Sequence, residues 1–217
     1  MAKILPNSVR AIIFDLDGTL LDTLQDLTVS TNYALRSHGM PERTIEEVRH
    51  FVGNGVHKLI CRAVPQNTSE EMIENIYSDF CRHYLEHSLD ATCPYEGILP
   101  MLARLKERGF LIAVVSNKLQ PAVSFLSERF FRSYVDIALG ECDSMSKKPA
   151  PDMVLSALRH LGVSKDEAIY VGDSDVDLLT AENSGLPCIS VLWGFRDKQF
   201  LMEHGATVFL SSPGELE

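Results

Sequence analysis

Short apolar runs alternate with amphipathic stretches over the outer parts of this chain, and that alternation restricts the fold more than any other feature. Residues 11–16 (AIIFDL), 111–115 (LIAVV), 135–139 (VDIAL), 168–171 (AIYV) and 188–193 (CISVLW) read as strands. Several are apolar nearly throughout, as strands covered on both faces require. Between them, Ile98, Met101, Leu102 and Leu105 repeat at helical spacing before Gly109, and Val154, Leu155, Leu158 and Leu161 do so before Gly162. Ser164 and Glu167 are spaced to open a further short turn. Strands separated by helices imply parallel neighbours joined by crossovers. The expected class is α/β, a doubly wound, Rossmann-like parallel sheet.

Residues 23–91 break the alternation, with helical patterns and no convincing strand. Leu24, Leu27, Thr31, Ala34 and Leu35 share a helix face that ends at Gly39 and Pro41. Thr44-x-x-Glu47 and Thr68-x-x-Glu71 have capping-box spacing, the second predicting a helix with Met72, Ile73, Ile76, Tyr77, Phe80 and Tyr84 on its apolar side. The expected division is residues 1–22 with 92–217 as the sheet-bearing core, and 23–91 as an inserted helical domain. The tail after Phe209 (LSSPGELE) is expected to fray.

Composition narrows the function. Twenty Lys and Arg against thirty Asp and Glu leave a net charge of −10, which argues against nucleic acid or an anionic membrane as partner. The longest apolar run, Phe110–Val115, is far short of the roughly 20 residues a membrane-spanning helix needs. The N-terminal stretch lacks the apolar core of a secretory signal, and the expected address is cytoplasmic. Cys61, Cys81, Cys93, Cys142 and Cys188 are odd in number and unclustered, so neither a disulfide framework nor a zinc knuckle is indicated.

Acidic residues gather where strands end. Asp15 and Asp17 follow the first strand, and period two places them on one side of the chain, with Gly18 free to turn sharply behind them. Two such carboxylates repel unless a cation lies between them. Alone, this is also the composition of a solvated acidic turn. Ser116 and Asn117 end the second strand, Lys147-Lys148-Pro149-Ala150-Pro151 presents a lysine on a stiff backbone, and Asp173, Asp175 and Asp177 precede a helix over 177–184. Oxygen ligands of this kind suit a hard divalent cation, although acids at a helix start also act as dipole caps.

In their order, these four elements resemble the motifs of the haloacid dehalogenase superfamily of phosphatases. Asp15-Leu16-Asp17-Gly18-Thr19 is similar to its first motif and Ser116-Asn117 to its second. Lys148 of Lys-Pro-x-Pro is similar to its third, and Gly172-Asp173-Ser-x-x-Asp177 to its fourth. The helical insertion is similar to the small cap of phosphoglycolate phosphatases, where a segment like Gly53-Asn54-Gly55 faces the active site.

That resemblance implies hydrolysis of a small phosphorylated metabolite, 2-phosphoglycolate first among them, through an aspartyl phosphate. Asp15 would be the nucleophile and Asp17 the acid and then base. Mg²⁺ would be held by Asp15, the backbone carbonyl of Asp17, and Asp173, with Asp177 as a further ligand or behind the ligands. Gly18, Thr19, Ser116 and Asn117 would bind the phosphoryl oxygens and Lys148 would neutralise charge. Asn54, His57 and Lys58 would meet the leaving group. Asp17 separates this reading from the dehalogenases, which lack that acid.

Related alternatives are a phosphonoacetaldehyde hydrolase, using Lys58 as a Schiff-base lysine, and a β-phosphoglucomutase-type sugar phosphomutase. Outside that family, a signalling receiver domain also combines acids, a hydroxyl and a lysine, but puts its acid pair and acceptor on different strands and has no cap. Either a monomer or a homodimer is compatible with the apolar helix faces.

Overall fold

Ala11–Phe14 forms strand β1, every residue of it buried, at the centre of the computed structural model, which describes residues 5–216. β1 lies between β4 (Leu111–Leu119) and β6 (Ala168–Gly172), both parallel to it, with Ala11 opposite Leu111 and Ala168, and Phe14 opposite Val114 and Val171. With β5 (Ile137–Glu141), β7 (Cys188–Val191) and β8 (Phe209–Leu210), they form a six-stranded parallel sheet of order β5-β4-β1-β6-β7-β8. Chain order runs outward in both directions from β1. Such a reversal leaves a crevice at the carboxyl ends of the central strands.

Alternate residues build the two faces. Ala11 and Ile13 join Ala113, Val115, Ala168 and Tyr170 against Met153, Val154, Ala157 and Leu158 of α7 (Asp152–Leu161) and Ala181 of α8 (Asp175–Ser184). Ile12 and Phe14 face the other way and are equally buried. Each apolar side chain so buried contributes about 1.5–3 kcal/mol, which is why near-continuous apolar runs mark these strands. Helices α5 (Ile98–Glu107), α6 (Gln120–Phe131) and α9 (Lys198–Glu203) complete this part of the chain.

The chain divides into two compact units, one built from the segments up to Leu21 and from Pro94 onward, the other from Asp22–Cys93. The two-residue strands β2 (Leu21–Asp22) and β3 (Cys93–Pro94) mark the crossings. The second unit holds helices α1 (Leu24–Ser37), α2 (Ile45–Phe51), α3 (Val56–Ala63) and α4 (Glu70–His87). Its ends are tied by Asp26, a buried carboxylate of α1 that accepts hydrogen bonds from the backbone of Ala91 and Thr92 and from the Thr92 hydroxyl. None of the helices among the described residues is long and apolar enough to cross a membrane.

Several local expectations are corrected. β4 continues four residues past Val115 with a register shift against β5, carrying polar Ser116, Asn117 and Lys118 into the sheet. β5 starts at Ile137 rather than 135, because the Val135 and Asp136 amides bond to Phe131 and Ile112. β1 stops at Phe14 and β7 at Val191, and α8 starts at Asp175. The capping box at Thr44 and Glu47 is present, as is the one at Ser164 and Glu167 on a short 3-10 turn. At α4, however, Ser69 caps by accepting from the Met72 amide, while Thr68 donates its hydroxyl to the Pro65 carbonyl. The C-terminal tail is anchored: Leu210 pairs into β8, Pro213–Glu215 forms a 3-10 turn, and Leu216 is buried.

Candidate active site

Asp15 leaves the end of β1 with its amide bonded to the Val171 carbonyl of β6, so the neighbouring strand aims its carboxylate. At Gly18, φ is +87°, and a Cβ would run into the Asp173 carboxylate, so only glycine allows the turn and the close approach together. Asp173 follows β6. Its Oδ1 accepts from the Thr19 hydroxyl at 3.1 Å and its Oδ2 from the Phe195 amide at 2.7 Å. Thr19 is thereby committed to holding Asp173.

Lys148 sits beneath these acids with its side chain 3% exposed. Its Nζ donates to Asp15 Oδ1 at 2.7 Å, Asp177 Oδ1 at 2.7 Å and the Tyr170 hydroxyl at 3.1 Å, which uses all three of its donors. Tyr170 passes its own hydrogen on to Asp177 Oδ1 at 3.0 Å. The other Asp177 oxygen accepts from the Ser174 amide and hydroxyl, in the capping box that opens α8. With both oxygens saturated, Asp177 fixes Lys148 rather than facing a ligand.

Asn117 holds the same lysine from the other side. Its Oδ1 accepts from the Lys148 amide at 2.7 Å and its Nδ2 donates to the Lys148 carbonyl at 3.0 Å. The Asn117 side chain therefore organises the lysine loop, and Ser116, whose Oγ accepts from the Lys118 amide, remains the hydroxyl beside it.

Electrostatics follow from burial. Burial, reinforced by the Asp177 charge, pushes the Asp15 carboxyl well above the usual carboxylate range, against the pull of Lys148. Burial and Asp177 push Asp173 up to about 7, against its bonds from Phe195 and Thr19. Burial alone would weaken the Lys148 ammonium, but Asp15 and Asp177 outweigh it and the net shift is upward, so this lysine stays charged. Burial, then Asp177 and Asp15, raise Tyr170 well above its ordinary value and keep it a neutral donor.

Three carboxylates thus lie together in a buried place, two of them on one ammonium. Oxygens of Asp15, Asp173 and Asp177 lie within 4.8 Å of one another, an all-oxygen set with excess negative charge that suits a hard divalent cation. Asp15 Oδ2 takes no hydrogen bond among the described residues, and Asp173 accepts only one on each oxygen. These two are the acids open to such an ion.

Asp17 is placed differently. Its carboxylate pairs with Lys118, whose Nζ lies 2.8 and 3.1 Å from the two oxygens. Lys118 was not singled out by the sequence, although period two along β4 puts it on the side of Ser116. Trp193 and Gly194 were also missed. The Trp193 indole donates to the Thr19 carbonyl at 2.9 Å, and a Cβ on Gly194 would collide with Asp173 and the Gly18 carbonyl. Only their position after a buried strand hints at this.

The residues expected to meet a leaving group lie in the helical unit. Asn54 Oδ1 accepts from Arg62 at 2.6 Å, His57 bonds to Glu74 and Cys61, and Lys58 is exposed with no bonded side chain among the described residues.

Residues 12–191 match the family of haloacid dehalogenase-like hydrolases. The chain is 35% identical to the phosphoglycolate phosphatase of Aquifex aeolicus (strain VF5) over 188 residues, 86% of each protein. It is 32% identical to that of Rhodobacter capsulatus over 214 residues, 95% of this chain and 96% of the relative. Among solved structures, a candidate phosphoglycolate phosphatase from Lactobacillus delbrueckii subsp. bulgaricus has a TM-score of 0.92 at 36% identity, covering 96% of both chains.

Proposed function

Since this chain belongs to the haloacid dehalogenase-like hydrolases and is a phosphatase, we propose that it hydrolyses a small phosphomonoester, foremost 2-phosphoglycolate, through phosphorylated Asp15. The observation that carries this reading is the bond from buried Lys148 to a single oxygen of Asp15, which orients the carboxylate and leaves Oδ2 for attack. The substrate rests on likeness to the two phosphoglycolate phosphatases.

In the first step Asp15 Oδ2 bonds to phosphorus as the ester P–O bond breaks, and Asp17 gives its proton to the departing alkoxide. In the second, Asp17 takes a proton from water. The water oxygen bonds to phosphorus, Asp15 is released, and inorganic phosphate forms. Lys148 balances charge on Asp15 throughout, while the Ser116 hydroxyl and the amides around Gly18 hold phosphoryl oxygens. Mg²⁺, held by Asp15, Asp173 and the Asp17 carbonyl, would supply further neutralisation of the phosphoryl charge.

Phosphate release from 2-phosphoglycolate, p-nitrophenyl phosphate and hexose phosphates, with Mg²⁺ and with chelator, tests the proposal. The expected result is a Mg²⁺-dependent rate highest on 2-phosphoglycolate and absent in Asp15→Asn. Acid-quenched wild-type protein should carry one phosphoryl group on the peptide containing Asp15. Activity that survives Asp15→Asn would sink the mechanism. A borohydride-trapped adduct of phosphonoacetaldehyde at Lys58, or isomerisation of a hexose phosphate, would replace the reaction.

A further inference from the structure

Cys61, His57 and Glu74 form a hydrogen-bonded line in the helical unit that phosphoryl transfer does not use. His57 and Cys61 are one turn apart on α3, with Sγ of Cys61 3.5 Å from Nδ1 of His57. The other ring nitrogen, Nε2, lies 2.7 Å from Oε1 of Glu74 on α4. An edge contact with Tyr77, ring centroids 5.5 Å apart, further fixes the imidazole plane.

A single tautomer satisfies both bonds. With its hydrogen on Nε2, the ring donates to Glu74 and accepts the thiol hydrogen at Nδ1. Nucleophile, base and orienting carboxylate then stand in the order that activates a sulfur. Cys61 lies in the last turn of α3, where the helix dipole opposes negative charge on sulfur, so any activation falls to His57 and Glu74. The thiol is partly exposed, which admits a small reagent.

We propose that Cys61 is a modification site for peroxides, with His57 as its base and Glu74 as the positioning residue. The thiol hydrogen moves to His57 Nδ1 as sulfur attacks one peroxide oxygen. The S–O bond forms and the O–O bond breaks, so sulfur is oxidised to the sulfenic acid and the peroxide is reduced. The departing hydroxide takes the hydrogen back from His57 and leaves as water.

The test treats the full-length protein with hydrogen peroxide and dimedone, and follows the Cys61 and Cys93 peptides by mass spectrometry. Cys93 is exposed and reports simple access. Cys61 is expected to be labelled about ten- to a hundredfold faster, since a positioned base is worth at least that. In His57→Gln and in Glu74→Gln the ratio should fall to one or below. Cys61 reacting no faster than Cys93 in the wild type, or a ratio unchanged in both variants, would overturn the proposal. Glu74 is well exposed, so Glu74→Gln keeps the fold and decides the matter if His57→Gln melts early.

Discussion

Lys118 and Asp17, separated by 101 positions in the chain, form an ion pair with side chains 3% and 14% exposed. The pair joins the loop after β1 to the polar end of β4, and sets the direction of the proposed acid and base. Lys118→Gln keeps a donor near Asp17 and removes the charge. The expected outcome is a kcat lower by about 10²-fold, the scale of one acid–base group, with KM less affected. Steady-state kinetics on a phosphate ester checks it, and an unchanged kcat would remove Lys118 from the reaction.

Lys148 compensates two buried carboxylates at once. Lys148→Met leaves Asp15 and Asp177 without their shared cation, which should cost about 3–5 kcal/mol. At about 2–4 °C per kcal/mol for a chain of this size, the melting temperature falls by roughly 6–20 °C. Adding Asp177→Asn removes one uncompensated charge and should recover part of the loss. Thermal scans in chelator decide; a double variant no more stable than the single one contradicts the account.

Asp173 binds its proton more tightly in the folded protein, at about 7, than in the unfolded chain, at about 3.9. Its contribution is complete below about pH 4 and is lost as pH rises through about 7. Asp173→Asn is uncharged throughout, and its side chain can still accept from Phe195 and donate to Thr19. In chelator, the variant should gain on the wild type as pH rises from about 5 to about 8. It should also lose the thermal shift that Mg²⁺ produces in the wild type. A stability difference flat with pH would show that Asp173 does not carry this charge.

Gly194→Ala places a methyl group against Asp173 and the Gly18 carbonyl, although no left-handed backbone is involved. The loop must shift, and a displacement near 1 Å at such a site costs about 10²-fold in rate. Trp193 next to it is the only tryptophan in the chain and bonds to Thr19. Its emission should therefore move in the variant. Wild-type activity together with an unchanged spectrum would mean the loop does not brace the site.

The acidic and hydroxyl motifs were legible because each sits where an apolar run ends. Asp15, Ser116 and Asp173 all follow runs whose burial is a local property of the residues themselves, and the parallel sheet brings such ends together. The register shift of β4 was not legible, since polar Ser116, Asn117 and Lys118 lie between the pairs Val115–Leu139 and Leu119–Glu141, and no local pattern encodes where the pairing with β5 slips. The anchored tail was unreadable for the same reason: Leu216 is buried, and Pro213 lies against Gly97, far away in the chain.

Local pattern alone therefore fixes the set of chemical groups and the strand ends that carry them, because strand and helix periods are properties of neighbouring residues. How those groups are shared depends on the packed fold. Lys148 serves Asp15 and Asp177 together, Asp17 belongs to Lys118, Asn117 and Thr19 serve as braces, and His57 turns to Cys61 and Glu74. Most of these pairings join residues far apart in the chain. A buried donor or acceptor must find whichever partner the packed fold brings within about 3 Å.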